Sequence, residues 1–242
     1  MLEAALWALL GAASLLLGVE IAFLLKPSRP VIGWVMAFGA GALISAVSFE
    51  LVLDALESED AVTVALGLGA GAMAFFLGDR WLDQRGARDR KRSMGQQAEG
   101  SPLAIVLGAA LDGVPESLII GMSVLVGGGV AVSFVAATFM SNLPESMAAT
   151  TGLQMAGWRR SRIWGLWLSV VALSVVSGAV GFAVFDSLPG ATGAFVQAFA
   201  AGALLTMLAD TMMPEAFEFG GKLVGLLTVA GFLVALALSE IS

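Results

Sequence analysis

The chain has 242 residues, 58% of them hydrophobic and only 13% charged, with a mean hydropathy of +0.92. A soluble domain is nearer half apolar and a quarter charged, so too little polar surface exists here to hold the chain in water. This composition belongs to an integral membrane protein and excludes nucleic-acid readers and soluble Rossmann or barrel enzymes. With no Cys there are no disulfides, thiol catalysts or thiolate metal sites. With no His, the commonest transition-metal ligand and the usual general base are missing as well. The formal charge of -7 matters by its location along the chain.

Crossing the hydrocarbon takes roughly 20 apolar residues as a helix. On that length the sequence predicts spans at about 4–25, 31–53, 61–79, 103–126, 130–153, 163–185, 191–213 and 221–239. They make one transmembrane domain over 1–242, all-α and eight-helical. The first break is Lys26-Pro27-Ser28-Arg29-Pro30, the second Glu57-Ser58-Glu59-Asp60. The third, 80–102, is the one long loop and reads as a polar, mobile tether. Gly127-Gly128-Gly129, Trp158–Arg162, Asp186–Gly190 and Gly220-Gly221-Lys222 supply the rest.

The basic residues orient these spans. Lys26 and Arg29 fall in the first loop, and Arg80, Arg85, Arg88, Arg90, Lys91 and Arg92 in the third. Arg159, Arg160 and Arg162 fall in the fifth, and Lys222 in the seventh. All twelve Lys and Arg therefore lie in odd loops, which share one side of the membrane. The positive-inside rule makes that side cytoplasmic and leaves both termini outside. The amino end carries Glu3 and no basic n-region, so it reads as a retained first helix and not a cleaved signal.

Two internal repeats are expected, both inverted. Ala37-Phe38-Gly39-Ala40-Gly41-Ala42-Leu43-Ile44-Ser45 matches Ala198-Phe199-Ala200-Ala201-Gly202-Ala203-Leu204-Leu205-Thr206 at an offset of 161, and Asp54–Glu57 matches Glu215–Glu218. Asp112-Gly113-Val114-Pro115-Glu116-Ser117 matches Ser141-Asn142-Leu143-Pro144-Glu145-Ser146 at an offset of 29. In both pairs the partners run in opposite directions. The plan is three helices, a central pair, then three more about a pseudo-two-fold axis in the membrane plane. Secondary transporters have this plan, with substrate bound at interrupted helices near the midplane.

The central pair carries the acids. Pro115 and Pro144 lie mid-span, where each frees the carbonyl four residues earlier, at Leu111 and Met140. Asp112 and Glu116 share one helical face, as do Ser141 and Glu145, with Asn142 able to join. Each acid at that depth costs about 2.5–3.5 kcal/mol on insertion scales. No Lys or Arg lies at this depth in the sequence, so a diffusible cation is the natural counter-charge. Carboxylate, amide and carbonyl oxygens are ligands for divalent metals. Glu50, Asp54 and Glu57 at the outer end of span 2, with Asp210, Glu215 and Glu218 at the inner end of span 7, extend a cation route. Glu20 reads as a group that snorkels or meets a basic loop, and the eleven Met as packing.

These residues resemble the ZIP (Zrt-/Irt-like) metal transporters, an eight-helix family with external termini, a variable third loop and paired proline–glutamate motifs in helices 4 and 5. Asp112–Ser117 looks like that family's His-Asn-x-Pro-Glu-Gly, and Ser141–Ser146 like its fifth-helix counterpart. Ala198–Ala203, followed by Asp210 and Pro214-Glu215, is similar to its seventh helix. The resemblance implies a metal site of Glu116, Asn142 and Glu145, with Asp112 and Ser141 in the places of the family's histidine and histidine or glutamine. Serine replaces glycine after each glutamate, 163–185 holds no sixth-helix carboxylate, and the His-rich loop is missing, so one metal is expected and not two. The expected cargo is Zn²⁺, Fe²⁺ or Mn²⁺, with oxygen ligation favouring the harder ions.

The expected function is secondary transport of divalent cations by a multi-pass protein of the plasma or inner membrane. No P-loop is present and no organic cofactor is expected. The lipid bilayer and the metal ions are its partners, a homodimer is the candidate assembly, and nucleic acid is not a partner. The alternative is a ZIP-like receptor or scaffold that has lost transport. An intramembrane hydrolase would need a nucleophile–base pair that a chain without His or Cys does not offer.

Overall fold

The computed structural model describes residues 1–87, 102–125, 131–188 and 190–240, and these are all-helical. The helices are α1 (Leu2–Leu24), α2 (Arg29–Ala46), α3 (Ala61–Leu82), α4 (Pro102–Ser123), α5 (Val132–Met155), α6 (Arg160–Phe185), α7 (Gly190–Met207) and α8 (Val224–Ser239). α2 continues through a π-helical segment, Val47–Leu53, and a last turn, Asp54–Ser58. α7 continues likewise through a π segment, Leu208–Met212, into Met213–Gly220. The two π segments begin 161 residues apart, at the offset of the sequence repeat.

The ends follow from local chemistry. Pro30 starts α2 in the first turn, where its missing N–H costs nothing. Asp60 caps α3, accepting from the Val62 and Thr63 amides at 2.8 and 3.1 Å and from the Thr63 hydroxyl at 2.8 Å. The Thr63 hydroxyl, then the backbone bonds, hold the Asp60 carboxyl below the usual range. α5 ends on Gly157 at φ +80°, with Trp158 N–H donating to Leu153 and Gly157 N–H to Gln154, the Schellman closure that a left-handed glycine permits.

Among the described residues, five segments are long and apolar enough to cross a membrane: Leu2–Leu24, Arg29–Ser58, Ala61–Arg85, Arg160–Phe185 and Thr192–Ser239. The last is one piece where the sequence predicts two spans. A turn at Gly221–Leu223, with Gly221 at φ +62°, divides it. Neither α4 nor α5 is among the five. α5 carries Ser133, Thr138, Ser141, Asn142, Glu145 and Thr150, all buried against other helices, so it has no need of an apolar exterior. Most of the large exposed apolar side chains lie instead on α1, α3, α6 and α8, as at Leu6, Leu66, Val176 and Leu226. That belt far exceeds what a soluble monomer exposes, and the protein is a membrane-embedded helical protein.

The sequence placed a loop at 80–102, but α3 runs to Leu82 and a π turn, Asp83–Ala87, follows it, while α4 opens at Pro102. Arg80 and Arg85 therefore belong to helical turns. Arg88, Arg90, Lys91 and Arg92 lie outside the described residues, as do the Gly127-Gly128-Gly129 break and Pro189.

Packing divides the helices into two groups. α1, α4, α5 and α6 form one, with α1 on α5 and α6 and α4 on α6; α2, α3, α7 and α8 form the other, with α3 on α7 and α8 on α2. Close approach in the second group depends on glycine. A Cβ on Gly41 would lie 1.9 Å from the Thr228 carbonyl oxygen of α8, and one on Gly231 1.9 Å from that of Phe38 on α2. The pair α3 and α7 repeats this, with Gly71 1.8 Å from the Phe199 oxygen and Gly202 2.1 Å from that of Leu68. The two helix pairs thus use the same reciprocal contact, and the inverted repeat is legible in three dimensions. α1 meets α5 at Gly11–Thr138 and again at Gly18–Leu143, so these two run parallel. α1 meets α6 at Ala8–Gly178 and at Glu20–Arg160, so these are antiparallel.

Gly71→Ala and Gly231→Ala each place a methyl group inside a backbone carbonyl contact. Each should lower stability by about 1–3 kcal/mol, whereas Gly69→Ala and Gly225→Ala, with nothing within 4 Å, should not. Thermal unfolding in one detergent compares the four.

Candidate functional site

Pro115 and Pro144 sit inside α4 and α5, which continue through them. Around them the predicted site residues are withdrawn from solvent: Asp112, Glu116 and Ser141 are 1% exposed, Asn142 and Glu145 4%. Gly11 of α1 fixes the register between the two helices, because Ile120 Cδ1 and Thr138 Cγ2 both crowd it. α5 runs parallel to α1, α6 antiparallel to it, and α4 parallel to α6, as the contacts Gly113–Ser174 and Gly181–Leu118 require. From the level of Ile120 and Thr138, one turn along each helix brings Glu116 and Asn142, and a second brings Asp112 and Glu145. The acids thus lie on two antiparallel lines flanked by α1.

The hydrogen bonds show how each polar group is held. Ser141 Oγ donates to the Thr138 carbonyl at 2.9 Å, turning back on its own helix. Ser146 Oγ is placed 3.0 Å from both the Asn142 and Leu143 carbonyls, so the serine that follows Glu145 lends its proton to the turn that Pro144 disturbs. Asn142 Nδ2 reaches across to the Gly11 carbonyl at 3.4 Å, a long bond that Ser14 Oγ shares at 2.8 Å. That contact uses the amide's donor half, and its oxygen is the half with metal-ligand chemistry.

One expected ligand is placed elsewhere. The Met140 carbonyl freed by Pro144 is turned against α2, where a Cβ on Gly39 would lie 2.6 Å from its oxygen. The missing side chain of Gly39 is what lets the α2 backbone come this close to that oxygen. Among the described residues, moreover, no three Asp or Glu converge closely enough to hold one metal ion. The carboxylates are brought to one region but spread along the two lines.

At the end of α2 toward Asp60, three helices meet on Glu50. Glu50 lies in the π segment of α2, its carboxylate accepts from Ser133 Oγ of α5, and its carbonyl accepts from Gln197 Nε2 of α7 at 3.0 Å. A π segment misaligns the backbone ladder, and Gln197 supplies a donor to a carbonyl there. Asp54 follows, partly buried, in the last turn of α2, while Glu57 is exposed. In α7, Glu215 is buried at 8% exposure, but Asp210 in the π segment and Glu218 point outward. Glu20 meets a basic group as expected, with Arg160 Nη2 3.0 and 2.8 Å from its two oxygens and the guanidinium 4.7 Å above the Phe23 ring.

The mate of the α2–α5 contact, α7 against α4, is held apart. Ala200 stands where the repeat has Gly39, and a cavity of about 400 Å³ opens beside it, lined only by apolar groups such as Pro115, Leu118, Met122, Phe185 and Phe199. Sequence reading missed Gly39, Ser133, Thr138 and Gln197. Gly39 alone left a signal, as the one glycine of the repeat answered by alanine. No protein-family model matches the chain, and no curated protein matches it either.

Because the chain has no cysteine, a Glu50→Cys/Ser133→Cys pair reports α2–α5 closure without background. Gly39→Ala in that pair should lower the yield of oxidised cross-link several-fold, and Ala200→Gly should leave it unchanged.

Proposed function

We propose that this chain is a ZIP-like secondary transporter of divalent cations, with eight spans, both termini outside and the odd loops in the cytoplasm. The observation that carries the reading is the burial of three carboxyl groups, Asp112, Glu116 and Glu145, on two antiparallel proline-containing helices enclosed by inverted repeats. Ser141 and Asn142 add neutral oxygens at the same level. A dehydrated Zn²⁺, Fe²⁺ or Mn²⁺ is the substrate such oxygens suit.

The carboxylates are spread along two helices, so a cation that engages both lines draws α4 and α5 together. Glu50 and Asp54 gather cations at one mouth, and Glu215 receives them toward the other. The separation into two helix groups gives alternating access a rigid-body basis, since α5 faces α2 while α4 stands off from α7. The driving force is a gradient. Acidification protonates carboxyl ligands, so binding weakens as pH falls.

The test is metal flux into proteoliposomes with Zn²⁺, Mn²⁺, Fe²⁺ and Mg²⁺ side by side. Glu116→Ala with Glu145→Ala should reduce flux to the level of empty vesicles, while Glu50→Ala should slow uptake with saturation retained. Folded wild-type protein that moves none of the four ions would sink the transporter reading and leave the receptor or scaffold.

A further inference from the structure

Thr138 is 1% exposed, and its hydroxyl oxygen is buried with no hydrogen-bond partner. Four other helical threonines behave differently. Thr151, Thr206, Thr211 and Thr228 each return the hydroxyl to the carbonyl four residues earlier, at 2.6–2.9 Å. Thr138 has the Phe134 carbonyl at the same spacing and does not use it. Its methyl group is packed toward Gly11, and its own carbonyl accepts from Ser141. A buried hydroxyl without a partner is costly, and inside a bilayer no water is at hand to relieve it.

Its position gives the hydroxyl a use. Thr138 lies three residues before Ser141, four before Asn142 and seven before Glu145, which places all four on one face of α5. Counted from the end where Glu50 meets Ser133, it is the first oxygen on that face, since Phe134 and Val135 before it are apolar. Ile120 stands opposite on α4 at the same level, so no carboxylate competes for this position.

We infer that Thr138 is a further oxygen ligand for the divalent cation, one helical turn nearer the Glu50 end than Ser141 and Asn142, where the ion is held in passage to the carboxylates. The inference rests on the transporter reading and adds a neutral subsite to it. The subsite makes no covalent step: the hydroxyl oxygen lends a lone pair and keeps its proton. A hydroxyl is a hard ligand, so it favours Mn²⁺ over softer ions.

Thr138→Val keeps the shape and removes the oxygen, and Thr138→Ser keeps the oxygen. Mn²⁺ binding to the full chain in nanodiscs and Mn²⁺ flux into proteoliposomes are measured for wild type and both variants. The expected result is a KM for Mn²⁺ raised at least threefold in Thr138→Val and restored in Thr138→Ser, with Mn²⁺ still bound by the carboxylates. The metal-free melting temperature of Thr138→Val should equal or exceed that of wild type. An unchanged KM overturns the inference alone, and so does a clear fall in metal-free melting temperature, which would mean that the hydroxyl is bonded within the folded protein. Wild type that neither binds nor moves Mn²⁺ overturns the transporter reading and the subsite with it.

Discussion

Keeping three carboxyl groups away from lipid is the constraint on which the rest of the structure depends. A charged group in the hydrocarbon costs several kcal/mol, and such groups are tolerated only where protein or water encloses them. α5 meets this by surrender of its outer surface: α1, α2, α6 and α8 all pack on it, and residues from Ser133 to Leu153 are buried on successive faces. The helices around it then bear most of the contact with lipid, which is why most of the large exposed apolar side chains belong to α1, α3, α6 and α8. The polarity of α5 and the greasiness of its neighbours are one arrangement seen from two sides.

Enclosure at this density demands close helix contact, and small residues provide it. In lipid no hydrophobic force drives helices together, so association rests on packing, and packing is best where backbones can touch. Gly41 on Thr228, Gly231 on Phe38, Gly71 on Phe199 and Gly202 on Leu68 make two equivalent joints, one in each repeat. The π segments in α2 and α7 fall at equivalent places too. A defect that recurs at the same place in both halves is a retained feature, and each copy sits beside acids, Glu50 and Asp54 in one, Asp210 and Glu215 in the other.

Much of this was legible in the sequence, for definite reasons. The 161-residue offset found in Ala37–Ser45 recurs in the packing, where Gly41 and its counterpart Gly202 each touch a neighbouring backbone, because a glycine that touches a backbone leaves a letter in the sequence. The burial of Asp112, Glu116 and Glu145 followed from their position in long apolar runs with no boundary nearby. The spacing could not show where carbonyls and amides point. Pro144 does free the Met140 carbonyl, yet Gly39 on a distant helix takes it up, and Asn142 spends its donor on Gly11. Side-chain direction across helices depends on tertiary register, which period and spacing do not carry. The loop at 80–102 was begun too early because charge was read as absence of helix, whereas Asp79, Arg80 and Arg85 are charges on helical turns.

The most informative departure from symmetry is a single methyl group. α2 and α7 are near copies, and so are α5 and α4, so α2 on α5 and α7 on α4 would be equal contacts in a perfect repeat. Gly39 lets α2 come down on the Met140 carbonyl; Ala200 does not allow α7 the same approach, and the space appears as the apolar cavity beside Pro115. Pro115 is the neighbour of Glu116, so the open contact lies directly against the acid-bearing turn. On the transporter reading, a site carried by one helix group needs one contact with the other group that closes and one that yields, and unequal copies of one sequence provide both. The closed side is held by backbone touching backbone, with no interlocked side chains to disengage, which is the kind of contact that can part and re-form as a unit.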